Sequence, residues 1–113
     1  MSASCTCLEH VVGRAAQREF TVTPRDTAIA LGSGSANVLA TPMAIAWCEA
    51  VTTIAISEAI CGDCTTVGYK IDFIHLSPTS VGETVYANAL VESVSGDRII
   101  FTIDLRNLSL IHI

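Results

Sequence analysis

The chain has 113 residues, half of them hydrophobic and only 15% charged, enough for one modest core. Two domains would each be too small to offset their own ordering entropy, and the disordered and low-complexity classes are excluded. Six basic residues against eleven acidic ones leave a net charge of −5 with no Lys/Arg cluster, which argues against nucleic acid as a partner.

Residues 1–15 read as a mobile leader, since no basic segment followed by an apolar run marks a signal peptide. The longest apolar stretch, Pro42 to Cys48, ends at Glu49, so no membrane partner is expected. So apolar a small domain covers surface readily by self-association, and a homodimer is expected. The five cysteines, Cys5, Cys7, Cys48, Cys61 and Cys64, are odd in number and accompany no secretion signal, which favours reduced thiols and a cytoplasmic location. Cys5-x-Cys7 and Cys61-x-x-Cys64 have the residue type of a zinc site, but the first pair lies in the leader. The second follows a predicted helix, whereas a redox pair opens one, where the dipole lowers the thiol pKa. No metal and no cofactor is expected.

Gln17 to Thr23 alternates like a first strand, stopped by Pro24. Asp26 to Leu31 predicts a short helical turn. The loop Gly32-Ser33-Gly34-Ser35 is followed by no Gly-Lys-Ser/Thr and is no phosphate loop. Thr41 then suits an N-cap and Pro42 the first helical position, and no Gly or Pro interrupts Met43 to Ile60 before Gly62. This predicts a helix of about five turns. Met43, Ile45, Trp47, Val51, Ile54, Ile56 and Ile60 form no single stripe, so most of its circumference should be covered.

From Thr65 the period changes to two. Ile71, Phe73 and His75 share one face of a predicted strand; Val85, Ala87, Ala89 and Val91 share one in a second; Ile99, Phe101, Ile103 and Leu105 share one in a third. Pro78 and Val81-Gly82 separate the first two, and Ser95-Gly96-Asp97 turns between the last two. Strand, long helix and antiparallel meander make an α+β chain with a long central helix wrapped by a curved sheet, the hotdog arrangement. Leu108 to Ile113, Leu-Ser-Leu-Ile-His-Ile, is also the translation of the mosaic-end adapter of transposon-made sequencing libraries. The domain is therefore expected to occupy residues 16–107, with the last strand of the sheet missing and no role for His112.

Three residues stand out chemically. Glu49 sits among Trp47, Cys48, Ala50 and Val51, where a carboxylate is costly to desolvate unless paired or functional. Thr41 precedes it by eight residues, about 12 Å along a helix axis, at a helix end whose N–H groups can polarise a thioester carbonyl. His75 alternates with Ile71 and Phe73 toward the helix and suits general acid or base work. Each has an ordinary structural alternative: a capping Thr, a Glu at a helix edge and a His used in packing.

Together, Ala40-Thr41-Pro42-x6-Glu49 and Thr66-Val67-Gly68-x6-His75-Leu76-x-Pro78-Thr79-x2-Gly82 resemble the fluoroacetyl-CoA thioesterase family of hotdog enzymes, over about Thr21 to Leu105. The resemblance implies an acyl-CoA thioesterase with Thr41, Glu49 and His75 as catalytic constellation and Gly68 N–H at the thioester oxygen. It also implies a site at a homodimer interface, with either Thr41 or water as nucleophile. The His-x-Arg-type motif of the family's final strand has no counterpart here. Met43, Trp47, Tyr69 and Phe73 are candidate acyl-pocket walls, and Lys70, Arg98 and Arg106 are scattered cations with a possible reach to CoA phosphates. The competing reading is a non-catalytic hotdog module that binds acyl-CoA or another small ligand. A hydratase would need an Asp and a His at the helix entry, which are absent, and a mere dimerisation domain leaves Glu49 unexplained.

Overall fold

The computed structural model describes residues 2–3, 11–57, 64–109 and 111–113. Its sheet is ordered β2 (Ala15–Thr21), β4 (Thr84–Ser95), β5 (Arg98–Arg106), β1 (Ser2–Ala3) and β3 (Thr66–Val67), antiparallel throughout. Three long strands carry the sheet, and β1 and β3 contribute two residues each. Among the described residues the helical elements are a 3-10 turn (Pro24–Asp26), a single turn α1 (Ala28–Leu31) and the long α2 (Thr41–Ile56). This is the expected hotdog architecture, α2 lying across an open, curved antiparallel sheet.

The alternation predicted for the last two strands is the alternation observed in β4 and β5. Val85, Ala87, Ala89 and Val91 of β4 are buried, as are Ile99 and Leu105 of β5, because successive side chains of a paired strand take opposite faces. Gly96, at φ 61, turns the chain between them. Val91 faces Phe101 while Ser93 faces Ile100, so Glu92 is the extra residue of a bulge. The core gathers Val22, Leu39, Ala44, Trp47, Cys48 and Val51 against the inner face of β4, and Trp47 stacks on Phe20 of β2 at 4.7 Å between centroids.

Three expectations are corrected. Helix α2 starts one residue earlier than read and ends at Ile56, with Ser57 as its C-cap; Gly62 lies outside the described residues. Its N-cap is Ala40, with extended backbone, so Thr41 is the first helical residue and its hydroxyl makes no capping bond. Finally, the segment Ile71–His75 is no paired strand. Phe73 and His75 turn partly inward, but Ile71, Ile74 and Leu76 are exposed, because no neighbouring ladder fixes the segment's faces.

Part of the expected leader is anchored: Val11 is fully buried beside Ile56, Val91 and Ile99, and Arg14 C=O accepts from Val91 N–H. At the other end, Ile113 joins the core, and its carbonyl accepts from Leu76 N–H at 2.7 Å and Ser77 N–H at 3.0 Å. Cys64 is disulfide-bonded, against the reduced thiols expected; Cys5, Cys7 and Cys61, and with them the zinc reading, lie outside the described residues. No helix among the described residues is long and apolar enough to cross a membrane.

Candidate active site

The entry to α2 is held by backbone bonds from two distant loops. Leu39 N–H donates to Thr79 C=O and Ala40 N–H to Asp26 C=O, both at 2.8 Å. This fixes where the helix begins and presents Thr41, which needs no cap role, to the segment that carries His75. Thr41 Oγ1 and His75 Nδ1 are 2.8 Å apart across 34 positions of sequence. The other ring nitrogen, Nε2, is buried and has no hydrogen-bond partner among the described residues, and the ring packs edge-on to Phe73 at 6.3 Å. An unpartnered nitrogen on a half-buried imidazole is costly to keep unless a ligand or proton transfer uses it.

Two turns further along the helix, Glu49 meets Gly68. A Cβ placed on Gly68 would stand 2.7 Å from Glu49 Oε2, so the carboxylate approaches a backbone that only glycine leaves open. Glu49 is exposed in the single chain, at a helix edge. Pro42, Ala46, Glu49, Ala50 and Thr53 form a stripe of α2 that its own sheet does not cover, while Ala44, Trp47, Cys48, Val51 and Ala55 face the core.

Glu49 and Gly68 border a cavity of about 780 Å³, walled by residues 68–72 on one side and by β5 on the other, with Cys48 and Thr52 beside them. Of the predicted pocket walls only Tyr69 lines it. Met43 and Phe73 pack on the core and Trp47 stacks on Phe20, so within one chain they belong to the interior. Lys70 and Arg98 also line the cavity, and Arg98 lies 3.5 Å over the Tyr69 ring. Arg106 is tied instead to Asp104 at 3.3 Å. The residues missed were Thr52, Phe101 and Ile103; their signal was the three-residue step from Glu49 and the inward face of β5. Burial, and then the Asp104 carboxylate, push the Cys48 thiol up to about 12, so this cysteine stays protonated and is no nucleophile. Among the described residues no group of His, Cys, Asp and Glu is placed to hold a metal ion.

The structure thus brings together two pairs, Thr41 with His75 and Glu49 with Gly68, one turn-pair apart on a single helix. The sequence profile of the fluoroacetyl-CoA-specific thioesterases matches residues 22–109. The chain belongs to this family. It is accordingly a thioester hydrolase of the acyl-CoA type. No curated protein matches it at a significant level. Among solved structures, the fluoroacetyl-CoA thioesterase FlK is similar, at 23% identity and a TM-score of 0.83 over 90% of this chain and 79% of that one. A hypothetical Thermus thermophilus protein of the thioesterase superfamily follows at 22% and 0.82, over 90% and 75%. The PaaI protein of the Escherichia coli phenylacetic acid degradation operon superposes at 19% and 0.65, over 90% and 71%.

Proposed function

We propose that the chain hydrolyses a small acyl-CoA thioester with Thr41, Glu49 and His75 as its catalytic constellation. The observation that carries this reading is the 2.8 Å contact between Thr41 Oγ1 and His75 Nδ1, a nucleophile and base within hydrogen-bond reach. With Nδ1 as acceptor, the imidazole takes the hydroxyl proton as Thr41 Oγ attacks the thioester carbon. The C–S bond then breaks, the imidazolium returns its proton to the departing thiolate, and water hydrolyses the acyl-threonine ester by the same base. Gly68 N–H and Thr41 N–H at the start of α2, where Pro42 has no N–H and those of Met43 and Ala44 donate to Ala40 C=O, are the proposed oxyanion donors. Glu49, against Gly68 and two helical turns from Thr41, is proposed to position the hydrolytic water from across the homodimer interface. Variants of the similar thioesterase FlK have been solved with fluoroacetate and CoA and with acetyl-CoA.

The working form is proposed to be a homodimer. Val67, Tyr69, Ile71, Ile74 and Leu76 all expose large apolar side chains along one segment beside the site, a patch suited to a second copy. Met43, Trp47 and Phe73 remain proposed determinants of acyl choice through their packing behind Thr41. The domain is proposed to run over residues 16–107. A cytoplasmic location is proposed from the substrate class, with the Cys64 disulfide as the observation against it.

The test is thiol release from short, branched and aromatic acyl-CoAs, with intact-mass analysis during turnover. An acyl adduct on the native chain that vanishes in Thr41→Ala supports the covalent route. Turnover without adduct, lost in His75→Ala, assigns attack to water. Binding of acyl-CoA with no release from any substrate would make the chain a non-catalytic hotdog module.

A further inference from the structure

The backbone that meets Glu49 is fastened to the sheet by very little ladder. In the sheet order β2-β4-β5-β1-β3, strand β3 reaches the others only through β1 among the described residues. Ser2 pairs with Arg98 of β5 on one side and with Val67 on the other, and Ala3 pairs with Thr66. Strands of two residues hold weakly by themselves. Yet β3 runs directly into Gly68, where an added Cβ would stand 2.7 Å from Glu49 Oε2. Whatever fastens β3 therefore also sets where Gly68 stands.

A covalent bond lies at the start of this segment. Cys64, shortly before β3, is half-buried and disulfide-bonded, and the other described cysteine, Cys48, is buried and free. The second sulfur therefore belongs to Cys5, Cys7 or Cys61, which lie outside the described residues. The ladder chooses among them. Carried two residues on, the register of Ser2 with Val67 and Ala3 with Thr66 sets position 5 opposite position 64. Directly opposed residues of an antiparallel pair have Cα atoms about 4.5–5.5 Å apart, inside the span a disulfide bridges. Position 7 in the same register is a diagonal neighbour of position 64, roughly 7–8 Å away and beyond the usual span. Cys61 would close a bond within its own turn and fasten nothing to the sheet.

We propose that Cys64 is bonded to Cys5 and that this disulfide is a thiol-sensitive tie, holding β3 and with it Gly68 in place beside Glu49. Its opening by a dithiol is a balanced exchange. One thiolate of the reductant attacks Cys64 Sγ, the S–S bond breaks, and Cys5 leaves as a thiolate that takes up a proton; the second thiol then displaces Cys64 and closes the reductant's own disulfide. Once the bond is cut, β3 keeps only its two-residue ladder, and Gly68 is free to draw away from the carboxylate. The effect on rate rests on the proposed thioesterase reading, whereas the pairing and the tie stand on backbone register.

The experiment digests the full chain under non-reducing conditions with free thiols blocked. It then follows amide exchange and acyl-CoA hydrolysis, read by thioester absorbance, in the oxidised chain, after dithiothreitol and after reoxidation. The proposal expects a linked peptide pair carrying Cys5 and Cys64, lost in Cys5→Ser and kept in Cys7→Ser and Cys61→Ser. On reduction the Thr66 and Val67 amides should exchange about tenfold faster while those of Val85 and Ala87 stay protected. The value of kcat should fall by about fivefold or more and return on reoxidation. A link from Cys64 to Cys61 or Cys7 overturns the pairing, and unchanged exchange at Thr66 and Val67 overturns the tie. Faster exchange at constant kcat overturns the control of rate. A chain that hydrolyses no acyl-CoA in either state fails the thioesterase reading alone, since the linked peptides and the exchange still decide the tie.

Discussion

The two edges of β5 show how much a ladder decides. On the inner side, Val85 and Ala87 are fully buried, Ile99 is 1% exposed, and the whole meander packs on α2. On the outer side, the segment from Gly68 to Ser77 has similar apolar content, yet Ile74 is 75% and Leu76 65% exposed. A period-two pattern creates a buried face only where neighbouring strands hold alternate residues to one side. Without that constraint the same residues spread over both.

The sharpest way to break this contrast is from the closed side. Trp47→Ala removes the ring stacked on Phe20 and should cost about 3–5 kcal/mol, read as a lowered urea midpoint at unchanged slope. Val85→Ala, by the same argument, should cost less, in proportion to the methyl groups removed.

At the boundary between the two sides lies the Thr41–His75 pair. Thr41→Ala should lower kcat/KM by about 10²-fold or more, about 2.7 kcal/mol, with the urea midpoint nearly unmoved. Thr41→Ser should recover a large part of this loss, whereas a purely structural threonine would show its loss in stability instead.

Gly68→Ala should reduce kcat by roughly tenfold through displacement of Glu49, a flexible neighbour that can move aside at small cost to the fold. If the alanine alters stability but leaves kcat intact, the Glu49–Gly68 approach is packing and not chemistry.

The smallest effect on the protomer is expected on the open side. Ile74→Asp should change unfolding free energy by no more than about 0.5 kcal/mol. Sedimentation should nevertheless show it shifting a dimer toward monomer, and an unchanged sedimentation profile would remove this surface from the proposed interface.

Much of the fold was legible because its signals are local. The 3.6-residue helix after Thr41-Pro42, the alternation of β4 and β5 and the turn at Gly96 depend on residues close in sequence. Thr41, Glu49, Gly68 and His75 were legible as residue types at spacings shared with a thioesterase family. Their partnerships were not: that Thr41 bonds His75 and leaves capping unused, and that Glu49 is exposed against Gly68, follow from backbone bonds between loops far apart in the chain.

What the sequence by itself determined is therefore the set of elements and the chemistry available to them, since periodicity, capping and residue type act over a few residues. Only the tertiary structure decided which edge of β5 is closed, which face of α2 is bare and which polar groups meet. Each of those depends on contacts that form between distant segments, and local preference does not encode them.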